Sequence, residues 1–250
     1  MLAACGDRYV ADANLALAYL KRYCREEIVV VTARTSVPVE HDQVIERGCP
    51  PDLSDLEASR FLKTGLHRIL GPLEGLYCYL DNDVLAVSPE AGRVFEHFSE
   101  PVTFARDQSG RVSVERFSAW ALHHGDLRQA IAEKFGVEVD PEWPLWNGGV
   151  FLFGPSSVPF LETWHQFTLA AFADPQWQKR DQGALVAAVW KCGLERHVTV
   201  NDTFNWMPRH SLGKLDFSRL RFVHFIDGYN DPEWPEWTRT RDLLTAKGDA

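Results

Sequence analysis

The sequence predicts an α/β fold with a central, mostly parallel sheet flanked by helices. Strand-length apolar runs recur along the chain, amphipathic stretches separate them, and no internal period or low-complexity tract breaks the alternation. Strands that are apolar on both faces lie between two helical layers, and such sheets bind ligands beyond the carboxyl ends of their strands. The 250 residues suit one large domain, near the upper size of a single core, so one domain over residues 1–250 is expected.

Leu2 to Cys5 is the first apolar run, stopped by Gly6-Asp7, and Ala11 to Tyr23 follows with helical spacing of Leu15, Leu17, Ala18 and Leu20. Ile28 to Thr32 is β-branched and reads as a strand. Asp55 to Leu70 carries Phe61, Leu62, Leu66, Ile69 and Leu70 on one side and closes at Gly71-Pro72, the pattern of one long helix. Leu76 to Leu80 and Val84 to Val87 are strands either side of Asp81-Asn82-Asp83. Ser88-Pro89 offers an N-cap and first-turn proline for a helix over Glu90 to Phe98. Pro101 to Ala105 is the next strand, and 106–146 reads as short helices and loops. Gly149 to Phe153 is a strand after the turn-like Asn147-Gly148; helices fit Val158 to Ala173 and Asp181 to Cys192. Leu194 to Val200 and Arg221 to Phe225 read as late strands, before an acidic, aromatic tail, Asp231 to Trp237.

Twenty-six Lys and Arg against 35 Asp and Glu give a net charge of −9, which argues against a broad basic surface for nucleic acid or an acidic membrane. An anionic ligand would need a cation or a local basic patch. Five scattered cysteines without a C-x-x-C pair point to a reducing compartment. No basic and apolar leader opens the chain, and no apolar run approaches the roughly 20 residues of a membrane span, so a cytoplasmic protein with no membrane span is expected.

The most informative segment is Tyr77 to Leu85, where an apolar strand ends in Asp81 and Asp83 with Asn82 between them. If the extended geometry persists, the two carboxylates share a face and repel each other unless a cation sits between them. A hard divalent ion held by oxygen ligands resolves that conflict and can hold a diphosphate. A solvated turn is the alternative for the same three residues.

This segment resembles the aspartate motif of glycosyltransferase family 8, the glycogenin-like enzymes of the GT-A, nucleotide-diphospho-sugar transferase fold. Further segments resemble that family in the same order: Ala4 to Tyr9 with the strand after it, Ser59 to Thr64, Asp140 to Phe151, Arg180 to Leu185, and Val223 to Phe225 with Gly228. The resemblance implies a metal-dependent retaining transfer of a hexose, glucose or galactose, from a UDP-sugar donor to a glycan, lipid-linked or protein acceptor. It implies Mn²⁺, with Mg²⁺ as the alternative, held by Asp81, Asp83 and His224. Tyr9 would lie against uracil, with backbone groups of Ala3, Ala4, Cys5 and Gly6 on the base edge and Asn82 nearby. Lys63 would contact the donor as a point charge, Asn147, Gly148 and Gly149 would approach the donor sugar, and Gly228 would stand in the terminal phosphate motif. Asp181 and Gln182 are the implied catalytic pair, holding sugar hydroxyls near the anomeric carbon.

Read alone, the same residues admit plainer roles: Asp181 as a helix cap, Lys63 on a solvated face, His224 in the core, Asn147-Gly148 as a turn. His123, His124 and Asp126 are read as surface. The chain also departs from the family. Gly228 is followed by Tyr229-Asn230-Asp231 instead of leading to a lysine, which leaves Lys63, Arg60 or Arg209 to meet the phosphates. The sugar-side triplet reads Asn147-Gly148-Gly149, without a serine, and Gln178-Lys179-Arg180 precede Asp181 in place of an acid and glycines. A sugar nucleotidyltransferase is the competing enzyme class, but Ala3 to Tyr9 lack the glycine-rich basic loop a triphosphate needs. A non-catalytic UDP-sugar-binding protein is the third reading, with Trp234 and Trp237 either stacking on a glycan or packing on the body.

Overall fold

The computed structural model describes residues 1–111, 127–177, 180–208 and 217–225. Its first half runs β1 (Leu2–Cys5), α1 (Asp7–Tyr23), β2 (Val30–Ala33), β3 (Val44–Glu46), α2 (Asp55–Thr64), α3 (Leu66–Leu70), β4 (Tyr77–Leu80) and β5 (Val84–Ala86). A 3₁₀ segment (Ala91–His97) leads to β6 (Val102–Arg111), α4 (Leu127–Phe135), β7 (Pro144–Phe153), α5 (Val158–Phe172), α6 (Gln182–Lys191) and β8 (Phe222–His224). His123, His124, Asp126, Gln178, Lys179, Arg209, Gly228 and the tail with Trp234 and Trp237 lie outside the described residues.

Strands β1, β2 and β3 pair in parallel. The Met1 amino group donates to the Cys78 carbonyl at 2.6 Å and the Leu80 N–H to the Met1 carbonyl at 2.9 Å, the bond pattern of parallel neighbours, which sets β4 beside β1. β7 then pairs antiparallel with both β4 and β6. The order is β3-β2-β1-β4-β7-β6, mostly parallel as expected, with β7 reversed. β5 and β8 form an antiparallel pair beyond the end of β4.

The two-residue strand period sorts the core. Ala3, Cys5, Tyr79, Phe104, Phe151 and Phe153 face one apolar cluster with α2, α4, α5 and α6, whereas Leu2, Ala4, Cys78, Leu80, Val150 and Leu152 face a second with α1 and the β5–β8 pair. The first cluster is aromatic at its centre: the Phe104 ring stacks on Phe151 at 4.8 Å and on Trp146 at 5.5 Å. Local sequence sets the helix starts. Gly6 takes φ 82° ahead of α1, and a Cβ there would fall 2.1 Å from Asp55 Oδ2, so glycine is required twice over. Ser54 opens α2 with a capping box, its Oγ accepting from Glu57 N–H at 3.3 Å while Glu57 Oε2 accepts from Ser54 N–H at 2.7 Å.

Several elements differ from the sequence expectation. Glu90 to Phe98 forms no α-helix; the Ser88 hydroxyl does accept from Glu90 N–H, but with Gly92 inside and little beyond Ala91 and Val94 buried, the segment stays 3₁₀. Leu194 to Val200 is not a strand, because Leu194 to His197 is turned by a backbone bond and just Val200 bridges to Ala105. The strand expected from Gly149 begins at Pro144 and runs through the Asn147-Gly148 pair, while β6 extends to Arg111. β3 is too short and half-exposed to show in the pattern.

The helix expected over Asp55 to Leu70 breaks at Gly65, whose missing Cβ admits the buried His165 ring: a Cβ would lie 3.2 Å from its Cε1. Burial, with Arg68 and His67 nearby, pushes the His165 imidazole down to about 4. The unfolded chain, titrating near 6.5, therefore binds the extra proton first. The stability this group contributes is complete above about pH 6.5 and is lost as pH falls toward 4, amounting to about 3 kcal/mol at most. Urea denaturation at pH 7.5 and 4.5 is expected to show a larger loss in the wild type than in His165→Gln; equal losses would remove His165 as the cause.

Candidate active site

Parallel β1 and β4 end side by side, and the chain leaving each one builds the floor of a cavity of about 380 Å³. After Leu80 the backbone does not stay extended. It turns, with Val84 N–H donating to the Asp81 carbonyl at 3.0 Å, so the shared direction of Asp81 and Asp83 comes from a turn and not from strand periodicity. The register of β5 on β8 pairs Val84 with His224, and Phe225 N–H donates to the Asp83 carbonyl at 2.8 Å. This brings His224 Nε2 to 3.3 Å from Asp83 Oδ1. One ligand atom each from Asp81, Asp83 and His224 lie within 4.8 Å of one another.

His224 is 4% exposed, and its orientation is set from behind. Its Nδ1 lies 2.9 Å from Oδ1 of buried Asn205, whose own amide donates to the Arg106 carbonyl at 3.1 Å. With Asn205 Oδ1 accepting from Nδ1–H, Nε2 is the nitrogen that faces the carboxylates, free to carry a proton or to serve as the ligand atom for a metal. Burial works against a charge on this imidazole, but Asp83 outweighs it and raises the affinity for a proton above the usual range. Two carboxylates and one imidazole fit a Mn²⁺-like ion, whose preferences span oxygen and imidazole donors.

Across the cavity, Lys63 projects from α2 and is 5% exposed. Its Nζ lies 3.0 Å from Asp81 Oδ1, 3.2 Å from Asp81 Oδ2 and 2.9 Å from Asp181 Oδ2. The Tyr79 hydroxyl also donates to Asp81 Oδ1 at 2.8 Å. Burial opposes the Lys63 charge, yet Asp181 and Asp81 hold its proton affinity above the ordinary lysine range. The two aspartates diverge. Burial, despite Lys63 and joined by Asp83, leaves Asp81 above the usual carboxylate range, whereas Lys63 and Arg60 overcome burial and keep Asp181 below it. Arg60 Nε stands 3.6 Å from Asp181 Oδ1, one turn before Lys63 on α2.

Asp181 occupies the cap position of α6 but makes no side-chain cap bond; its carboxylate turns to Lys63 and Arg60 instead. Its carbonyl accepts from Trp164 Nε1 at 3.1 Å. Gln182 ties α6 to β7, its Nε2 donating to the Trp146 carbonyl and its Oε1 accepting from Gly148 N–H at 3.3 Å. The pairing of β6 jumps from Phe104↔Phe151 to Ala105↔Asn147, so Gly148 to Val150 bulge from that ladder beside the cavity. Gly149 N–H donates to Asn147 Oδ1 at 2.8 Å. A Cβ on Gly149 would fall 2.4 Å from His224 Cε1 and 3.0 Å from Asp81 Oδ2, and one on Gly148 would fall 3.2 Å from Lys63 Nζ. Close approach therefore requires glycine at 149, while a Cβ at 148 would crowd the Lys63 ammonium.

Ala3, Tyr9, Lys63, Asp81, Asn82, Asp83, Asn147, Asp181, Gln182 and His224 line the one cavity. Among the other expected residues that are described, Gly148 and Gly149 flank it, and Ala4, Cys5 and Gly6 are engaged by the fold. Ala4 faces the second core, and the N–H groups of Cys5 and Gly6 are engaged by Ser59 Oγ at 2.9 Å and the Ala33 carbonyl at 3.1 Å. The Ala3 carbonyl accepts from Asn82 Nδ2 at 2.9 Å, locking the aspartate turn onto β1. Sequence reasoning missed Asn205 and Tyr79: a lone buried amide and a strand tyrosine carry no spacing signal. Arg8, Asp12 and Asp107 also reach the cavity.

No protein-family model and no curated protein matches the sequence. Solved structures do match. The bifunctional glycosyltransferase WbbM in its apo form aligns over 92% of this chain with TM-score 0.58 at 14% identity, and this chain spans 46% of that one. The galactosyltransferase LgtC, in complex with donor and acceptor sugar analogues, aligns over 98% of this chain and 96% of its own, again with TM-score 0.58 and 14% identity. The chain has the GT-A glycosyltransferase fold.

Proposed function

We propose that the protein is a metal-dependent, retaining glycosyltransferase that moves a hexose, glucose or galactose, from a UDP-sugar to an acceptor. The observation that carries this reading is the convergence of Asp81, Asp83 and His224 in the same cavity as the Lys63–Asp181 pair, on a glycosyltransferase fold. The complex of LgtC with sugar analogues supports a nucleotide-sugar donor by likeness.

A divalent ion, Mn²⁺ before Mg²⁺, would be held by Asp81, Asp83 and His224 and would supply Lewis-acid stabilisation of the departing diphosphate. Asn205 holds the His224 ring so that Nε2 stays available. Tyr9, on the first turn of α1 in the cavity lining, offers ring area to the base. Lys63 brings one positive charge to the donor, and the bare Gly148 and Gly149 leave space for a sugar ring against the backbone. Asp181, kept ionised by Lys63 and Arg60, presents a fixed negative charge where a sugar ring develops positive charge on losing its leaving group. Retention follows from the resemblance to family 8, and the acceptor is a glycan, a lipid-linked sugar or a protein.

Thermal-shift measurement with UDP-glucose and UDP-galactose is expected to show stabilisation that needs Mn²⁺, of about 2.7 kcal/mol at a donor concentration 100 times its Kd. Asp83→Ala and His224→Ala are expected to lose the Mn²⁺-dependent part while keeping the melting transition. A wild type indifferent to both donors with Mn²⁺ present would sink the proposal. Asn205→Leu should weaken Mn²⁺ binding by about 10–100-fold, read by electron paramagnetic resonance, because His224 loses its orienting acceptor. Gly149→Ala should push the His224 ring aside and lower Mn²⁺ affinity, whereas Gly48→Ala, where a Cβ meets nothing within 4 Å and the backbone is not left-handed, should leave it unchanged.

A further inference from the structure

Resting on the metal-and-donor reading above, we propose that Lys63 is an exchangeable internal cation. In the metal-free protein its ammonium stands in at Asp81 for the divalent ion, and it withdraws to Asp181 when metal and nucleoside diphosphate bind together. Both Asp81 oxygens lie within 3.2 Å of Lys63 Nζ. An arriving ion therefore meets a carboxylate already paired with a buried ammonium, not an open ligand. The withdrawal needs little movement, because the same Nζ is already 2.9 Å from Asp181 Oδ2. Its surroundings allow a shift: the faces of Tyr79 and Trp164 lie 5.4 Å and 5.9 Å from Nζ, and Gly148 presents no Cβ on that side.

Charge balance gives the coupling. Lys63 is shared between Asp81 and Asp181, Arg60 faces Asp181 and the His224 ring faces Asp83, so the carboxylates of the cavity already have basic side chains against them. A divalent ion alone adds two positive charges beside a buried ammonium and is resisted. A diphosphate arriving with it restores the balance, so metal and UDP should each raise the affinity for the other.

Mn²⁺ titration of the full chain by electron paramagnetic resonance, with and without UDP, tests this on wild type, Lys63→Met and Asp181→Asn. Lys63→Met is expected to bind Mn²⁺ alone at least tenfold tighter than wild type, with a smaller gain on adding UDP. Asp181→Asn leaves Asp81 as the single carboxylate at Lys63 Nζ, and should bind Mn²⁺ alone several-fold more weakly. A folded Lys63→Met that binds Mn²⁺ no tighter overturns the proposal. If Lys63→Met does not fold, Asp181→Asn decides, and Mn²⁺ binding equal to or tighter than wild type overturns it. Wild type that binds no Mn²⁺ even with UDP overturns the metal reading, and this one with it; wild-type binding that Lys63→Met leaves unaltered overturns this one by itself.

Discussion

The burial of one ammonium between two carboxylates organises this molecule. Lys63 sits on α2, Asp81 at the end of β4 and Asp181 at the start of α6, and their ion pairs tie one helical layer to the sheet and to the next helix. A buried, incompletely compensated charge costs several kcal/mol, so these elements have to arrive together. Around the pair, structural choices that look arbitrary along the chain become necessary. A Cβ on Gly148 would crowd the Lys63 ammonium, Asp181 forgoes capping its own helix, and Trp164 holds the Asp181 backbone in place.

The same arrangement separates two aspartates chemically. Burial dominates at Asp81 and leaves it more easily protonated than a free carboxylate. Two cations dominate at Asp181 and keep it an anion. The difference lies in which elements surround each carboxylate, since the residue type is the same.

Much of the fold was legible from hydrophobic patterning. β1, β4 and the apolar part of β7 are continuous apolar runs, and they form the middle of the sheet because strands covered on both faces can show no polar alternation. The legibility failed where local pattern competes with packing. Gly65 is unremarkable in a helical pattern until His165 needs its space, and the Asn147-Gly148 pair reads as a turn until β6, pairing Ala105 with Asn147, carries it within a strand. Val44 to Glu46 is a strand because β2 offers it an edge, not because its residues demand one.

For the site, the sequence by itself determined which residue types stand at strand ends: Asp81 and Asp83 after an apolar run, a histidine in a late one, glycines after Asn147. It did so because strand ends and glycines are written in local composition. Tertiary structure alone decided that His224 meets Asp83 through the β5–β8 register, that Asn205 fixes its ring, and that Lys63 shares its charge between Asp81 and Asp181. Those contacts join residues 18 to 141 positions apart, and an electrostatic partner at such distance leaves no periodic trace in the chain.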